Sequence, residues 1–244
     1  MRALRILLII AVVLGGLFVI ADRVAVNFAE DQAAQKVRTT EGLSTAPDVS
    51  IKGFPFLTQV ASGELDDVEV GIKDYEAATG TGTAKIRISD LNADMRGVVF
   101  AADYGSATAR SATGTATIPY DELLRAAKSE PTDVSPGVSG QVVGLSSGGD
   151  GKIKVEVEAT VFGNKLPRPV SVLSTVSVKG DTVEVRADSV PDLGIDLAEN
   201  TLRSVTDFQQ KIDDLPGGIK LDKVEGGNDG VEITVKGSDV KLVG

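Results

Sequence analysis

Acid–base chemistry in this 244-residue chain falls mainly to carboxylates, because it has no His and no Cys. Their absence removes Ser-His-Asp and Cys-His nucleophiles, thiol redox chemistry, disulfides and His/Cys zinc sites. Three acid pairs stand out: Asp66-Asp67, Asp121-Glu122 and Asp213-Asp214. Such pairs can bind calcium or act together in glycoside hydrolysis. None has the Asp-x-Asp-x-Asp-Gly ligand spacing, so they read as solvated or helix-end charge, and neither a metal nor a cofactor is expected. Gly144-Leu-Ser146-Ser-Gly148 fits the nucleophile-elbow pattern but has no His to serve as base. Gly80-Thr-Gly82-Thr-Ala-Lys85 lacks the further glycine of a phosphate loop and reads as a turn.

Binding is therefore a better reading than catalysis. Lys and Arg number 25 against 35 Asp and Glu, for a net charge of −10. That balance opposes nucleic acid, and with no Trp and 4% aromatics a stacking platform for bases is not expected either. One cluster departs from the aromatic-poor background: Gly53-Phe54-Pro55-Phe56-Leu57-Thr58-Gln59. The proline marks an edge or crossover. The flanking rings would form either a core-packing corner or the apolar lip of a lipid cavity.

The N-terminus must first be placed. Arg2 and Arg5 precede sixteen uncharged residues, Ile6 to Ala21, with Asp22 and Arg23 next. This is the pattern of a signal peptide or signal anchor, with residues 1–21 as that segment and 22–244 as one exported domain. A retained anchor through residues 4–21 is favoured over cleavage after Ala21. Residues 22 to 39 read as helix, with Val26, Ala29, Ala33 and Val37 on one face. Beyond Pro47 the period is two: Val68-Val70-Ile72, Ile153 through Val161, Val183-Val185 and Val231 through Val235 alternate with polar residues, as in antiparallel sheets.

Turns are expected at Gly148–Gly151, Lys179–Asp181, Asn228–Gly230 and Gly237–Asp239, and the runs 170–178 and 182–187 form one hairpin. Further helices are expected over Pro119–Lys128 and Asp196–Ile212, and a Ser/Gly-rich loop over 129–149. The fold class is α+β: a long curved antiparallel sheet with a few helices on its dry face.

Val49-Ser-Ile51-Lys-Gly53-Phe54-Pro55-Phe56-Leu57-Thr58-Gln59, then Gly63 and Val68-Glu-Val70, resembles the opening of an actinobacterial envelope family. Leu215-Pro216-Gly217-Gly218-Ile219, Val224, Asp229-Gly230-Val231 and Gly237 resemble its ending. The family is the LmeA-like (lipomannan elongation factor A) phospholipid-binding proteins, and the resemblance covers nearly all of residues 22–244. It implies a non-enzymatic, extracytoplasmic phospholipid binder of tubular lipid-binding (BPI-like) architecture, acting in lipid transport or lipoglycan biogenesis. Its partners would be phospholipid and the cytoplasmic membrane. The alternatives are a structural or protein-interaction β-module without lipid and, further off, a carboxylate-dependent hydrolase.

An acyl-chain groove needs large apolar side chains, since each CH₂ removed from water gives about 0.8 kcal/mol. Phe54, Phe56 and Leu57 at the crossover, Leu124, Phe162 after the cleanest strand, and Phe208 and Ile212 on the second helix are the expected lining.

Overall fold

The computed structural model describes residues 2–40, 42–78, 85–101, 106–126, 131–188, 203, 207–211 and 218–243. The apolar N-terminus and the amphipathic segment after it form one unbroken helix, α1 (Arg2–Thr40). It is long and apolar enough at its start to cross a membrane. From Asp22 onward it acquires a buried stripe: Asp22, Val26 and Ala34 are buried, and Ala25, Ala29, Glu30, Ala33 and Val37 half-buried. The face predicted from spacing is the one that packs.

The strands form two sheets rather than one. Strands β1 (Asp48–Lys52), β2 (Glu64–Ala78), β3 (Lys85–Phe100), β4 (Ala107–Pro119), β12 (Lys220–Gly226) and β13 (Gly230–Val243) form a six-stranded sheet in the order β1-β2-β3-β4-β13-β12. The other sheet has seven strands in the order β11-β10-β9-β7-β6-β5. They are β5 (Thr132–Ser135), β6 (Val138–Gly149), β7 (Lys152–Val161), β9 (Val170–Lys179), β10 (Thr182–Ala187) and β11 (Phe208–Lys211), with β8 (Asn164–Lys165) paired onto β7. Two short helices, α2 (Phe56–Ser62) and α3 (Tyr120–Ala126), complete the described elements. The pairs β1–β2, β5–β6, β6–β7, β7–β9, β9–β10, β10–β11 and β12–β13 are antiparallel.

The chain forms two compact units: residues 1–72, 92–113 and 237–244 in the first, 73–91 and 114–236 in the second. The second has a filled core. Ile153, Val155 and Val157 of β7, Val176 of β9, Val185 of β10, Val224 and Val231 pack with Tyr120 of α3, whose hydroxyl donates to the Gly227 carbonyl at 2.9 Å. Strict alternation in β7 sends every second side chain into this cluster. In the first unit the buried positions include Val26, Val49, Phe56, Leu65, Val98 and Val240 beside the small Ala34, Ala107, Ala109 and Ala112, with α1 packed along β1.

Three further expectations are corrected. The Ser/Gly-rich stretch 129–149 is not a loop across its described residues: it contains β5 and β6, and β6 pairs with β7 along its length. Its Val138 and Gly140 are buried while Ser139 and Gln141 are half-buried, so the alternation is present in residues too small to announce it. Gly237-Ser238-Asp239 is not a hairpin turn but lies inside β13, with Asp239 at φ 52°. The helix expected over Asp196–Ile212 is contradicted at 208–211, where Phe208↔Val185 and Gln210↔Val183 pair in β11; the free edge of β10 supplies backbone partners that outweigh a helical periodicity. Residues 196–202, 204–206 and Ile212 lie outside the described residues.

Candidate functional site

The Gly53–Gln59 cluster forms a turn leading into α2, each residue with a separate task. Gly53 has φ +92°, and a Cβ there would lie 2.6 Å from Gln59 Nε2 and 2.7 Å from Asp66 Oδ2. No larger residue fits without displacing both. Buried Gln59 ties the turn down: its Nε2 donates to the Lys52 carbonyl at 3.3 Å, and its Oε1 accepts the Asp66 N–H at 2.8 Å. Helix α2 closes on Gly63 in the left-handed region.

Helix α1 supplies what the start of α2 lacks. Pro55 precedes the helix and gives no side-chain cap. The fully buried Asp22 carboxylate accepts the Leu57 N–H at 2.8 Å, filling the N-cap role from 35 residues away. Burial pushes that carboxyl upward, but the Leu57 N–H, Arg23 and the Phe56 N–H outweigh it and hold it below the ordinary carboxylate value. Arg23 Nη2 pairs with Asp22 at 2.6 Å, and its guanidinium lies 5.2 Å from the centre of the Phe54 ring. Further along α1, Glu30 Oε1 accepts the Ile51 N–H of edge strand β1 at 2.7 Å. Asp22 and Glu30 thus fasten one helix along residues 51–57.

The register of β1 on β2 sorts the sheet into two faces. Val49 opposes Val70 and Ile51 opposes Val68, whereas Asp48, Ser50 and Lys52 oppose Gly71, Glu69 and Asp67. The dry face is poorly covered: Val49 is buried, but Ile51, Val68, Val70 and Ile72 remain half-exposed. This face was legible only as a strand pattern, and Val68 and Val70 were not among the expected lining residues. On the wet face Asp67, Glu69 and Asp94 bring carboxylate oxygens within 4.8 Å of one another. Lys52 Nζ lies 3.1 Å from Glu69, and Arg96 Nε lies 3.2 Å from Asp94 and 3.9 Å from Asp67, so two cations already offset the three acids. Burial, then the Asp94 charge, pushes the Asp67 carboxyl above its ordinary value.

Of the predicted lining, Phe54, Phe56 and Leu57 share this turn but part in direction. Phe54 is 57% exposed, Phe56 is buried and Leu57 is half-buried. Leu124 is half-buried on α3, and Phe162 stands 78% exposed in the turn between β7 and β8; both belong to the second unit. Phe208 opens β11, and Ile212 lies outside the described residues, as do Asp213 and Asp214.

A half-covered apolar sheet face beside an alanine-lined helix is a surface suited to hydrocarbon. Residues 20–236 match the LmeA-like phospholipid-binding family, most of the chain. The chain belongs to that family. The LmeA-like span contains Asp22, the Gly53–Gln59 turn and the β1–β2 face, and omits nearly all of the apolar N-terminal run. No curated protein and no solved structure matches the chain. The LmeA-like family is one of phospholipid-binding proteins.

Proposed function

We propose that this protein binds phospholipid on the extracytoplasmic face of the cytoplasmic membrane, without catalysis, and serves lipid transport or lipoglycan biogenesis. One observation supports the reading most: beside buried Val49, the dry face of Ile51, Val68, Val70 and Ile72 is only partly covered. An acyl chain laid on that face removes its own CH₂ groups and four aliphatic side chains from water together, at about 0.8 kcal/mol per CH₂. Phe54, Phe56 and Leu57 lie at the end of the strand that carries this face. Leu124, Phe162, Phe208 and Ile212 stay as proposed lining in the tubular lipid-binding arrangement. Arg2 and Arg5 before the apolar run orient residues 22–244 outward, either on a retained anchor or after cleavage behind Ala21.

Full-length protein, extracted from its membrane in mild detergent and weighed by native mass spectrometry, tests the proposal. Phospholipid retained stoichiometrically, and exchanged for a fluorescent analogue, is the expected result. A lipid-free mass with no uptake of the analogue would leave a bare β-module.

A further inference from the structure

The hinge of this protein on its membrane is absent. Helix α1 leaves the apolar run and enters the folded domain without a break. Leu4 to Ala21 spans about 27 Å at 1.5 Å per residue, close to the hydrocarbon core of about 30 Å. The next two residues are the clamp: Asp22 holds α2 by its N-terminus, and Arg23 holds the Phe54 ring. The backbone of residue 23 stands within about 3 Å of the end of the span, and the exposed ring is tied to that residue's side chain. The headgroup layer is about 5–7 Å deep on each side.

Phe18 and Val19, at 41% and 43% exposed, are less open than Leu17 at 58% and Ile20 at 62%, so the last apolar turns have one less exposed side. Val24 and Phe28, one turn apart, continue an exposed apolar surface past the boundary. An aromatic ring with a cation beside it suits this layer, the ring among glycerol groups and the guanidinium among phosphates. The chain is acidic overall, so a general charge attraction to an anionic leaflet does not supply the contact.

We propose that the Gly53–Leu57 turn is a membrane-interface wedge: Phe54 seats in the headgroup layer of the leaflet from which Ala21 emerges, and Arg23 meets lipid phosphate beside it. This rests on the reading that residues 4–21 span the membrane. The chain has no Trp, so a single introduced Trp reports without background. Full-length Phe54→Trp and Leu14→Trp would be reconstituted separately into phosphatidylcholine–phosphatidylglycerol vesicles carrying brominated lipids. Trp at position 54 is expected to be blue-shifted, and quenched more by bromines near the headgroup than by those near the chain end. Trp at position 14 should show the reverse order. Quenching at 14 with an iodide-accessible, unquenched Trp at 54 overturns the wedge alone. No quenching at 14 overturns the spanning reading and the wedge with it.

Discussion

Truncating one valine in each unit separates a buried aliphatic core from the face proposed to take lipid. Val155 is 5% exposed among seven other buried residues, so Val155→Ala opens a closed cavity. Two methyl groups at about 0.8 kcal/mol each, plus a cavity contribution, cost about 2 kcal/mol or slightly more. For a chain of this size that lowers Tm by roughly 4–9 °C. Val70 is partly buried, so Val70→Ala removes about two-thirds of the transfer energy, costing about 1 kcal/mol. Phospholipid at about 100 times its Kd stabilises the wild type by about 2.7 kcal/mol. The remaining third, about 0.5 kcal/mol, is lost from the lipid contact and weakens Kd about 2.5-fold, so that stabilisation falls to about 2.2 kcal/mol in Val70→Ala. In Val155→Ala it should stay near 2.7 kcal/mol. Differential scanning fluorimetry of the detergent-solubilised protein, with and without added phospholipid, reads all four values. A full core penalty at Val70 with the lipid shift intact, or loss of that shift in Val155→Ala, would refute the reasoning.

The wet face gives a pH signature. The Asp67 carboxyl is pushed up in the fold, so its ionisation weakens the native state as pH rises from the ordinary carboxylate value through its folded value. Asp67→Asn should then be more stable than wild type at neutral pH, with the gain gone in acid, and phospholipid binding unchanged; urea melts across pH check this. Asp188 is the opposite case, held down first by the hydrogen bond from Lys152 and then by that from Thr175. Its stabilising share is present above the ordinary carboxylate value and is lost as pH falls through the folded one, so Asp188→Asn should flatten the acid limb of the same melts. Tyr120→Phe removes the 2.9 Å bond to the Gly227 carbonyl and should cost about 1 kcal/mol in denaturant unfolding. Gly226→Ala would drive a Cβ into the Lys152 carbonyl, and a loss of about 3 kcal/mol is expected in the same assay.

What the sequence disclosed follows from how large and regular its side chains are. Alternating Val and Ile against Lys and Glu made β7 and the β9–β10 hairpin plain, and the alanine stripe of α1 was visible by spacing alone. Strand β6 was missed because its buried positions include Val138 and Gly140, and glycine carries no alternation to read. Strand β11 was missed because pairing to β10 is a property of the partner, which local periodicity does not contain. At the candidate site the aromatic turn announced itself, but the different directions of Phe54 and Phe56 depend on Gln59 and Gly53 fixing the backbone. Asp22 looked like the polar end of an apolar run. Its burial as the cap of α2 requires bringing residue 57 back to residue 22, a long-range contact no local pattern encodes.

The unbroken passage of α1 through residues 21 and 22 makes one peptide bond a choice between two ways of working. On the proposed reading, the intact Ala21–Asp22 bond would make the domain a mast set in the bilayer, with a two-dimensional search and a standing height set by the helix. With the bond cut, the buried Asp22 would become the first residue of a free particle. The processing of a single bond would then set whether lipid is handed over at the membrane surface or carried away from it.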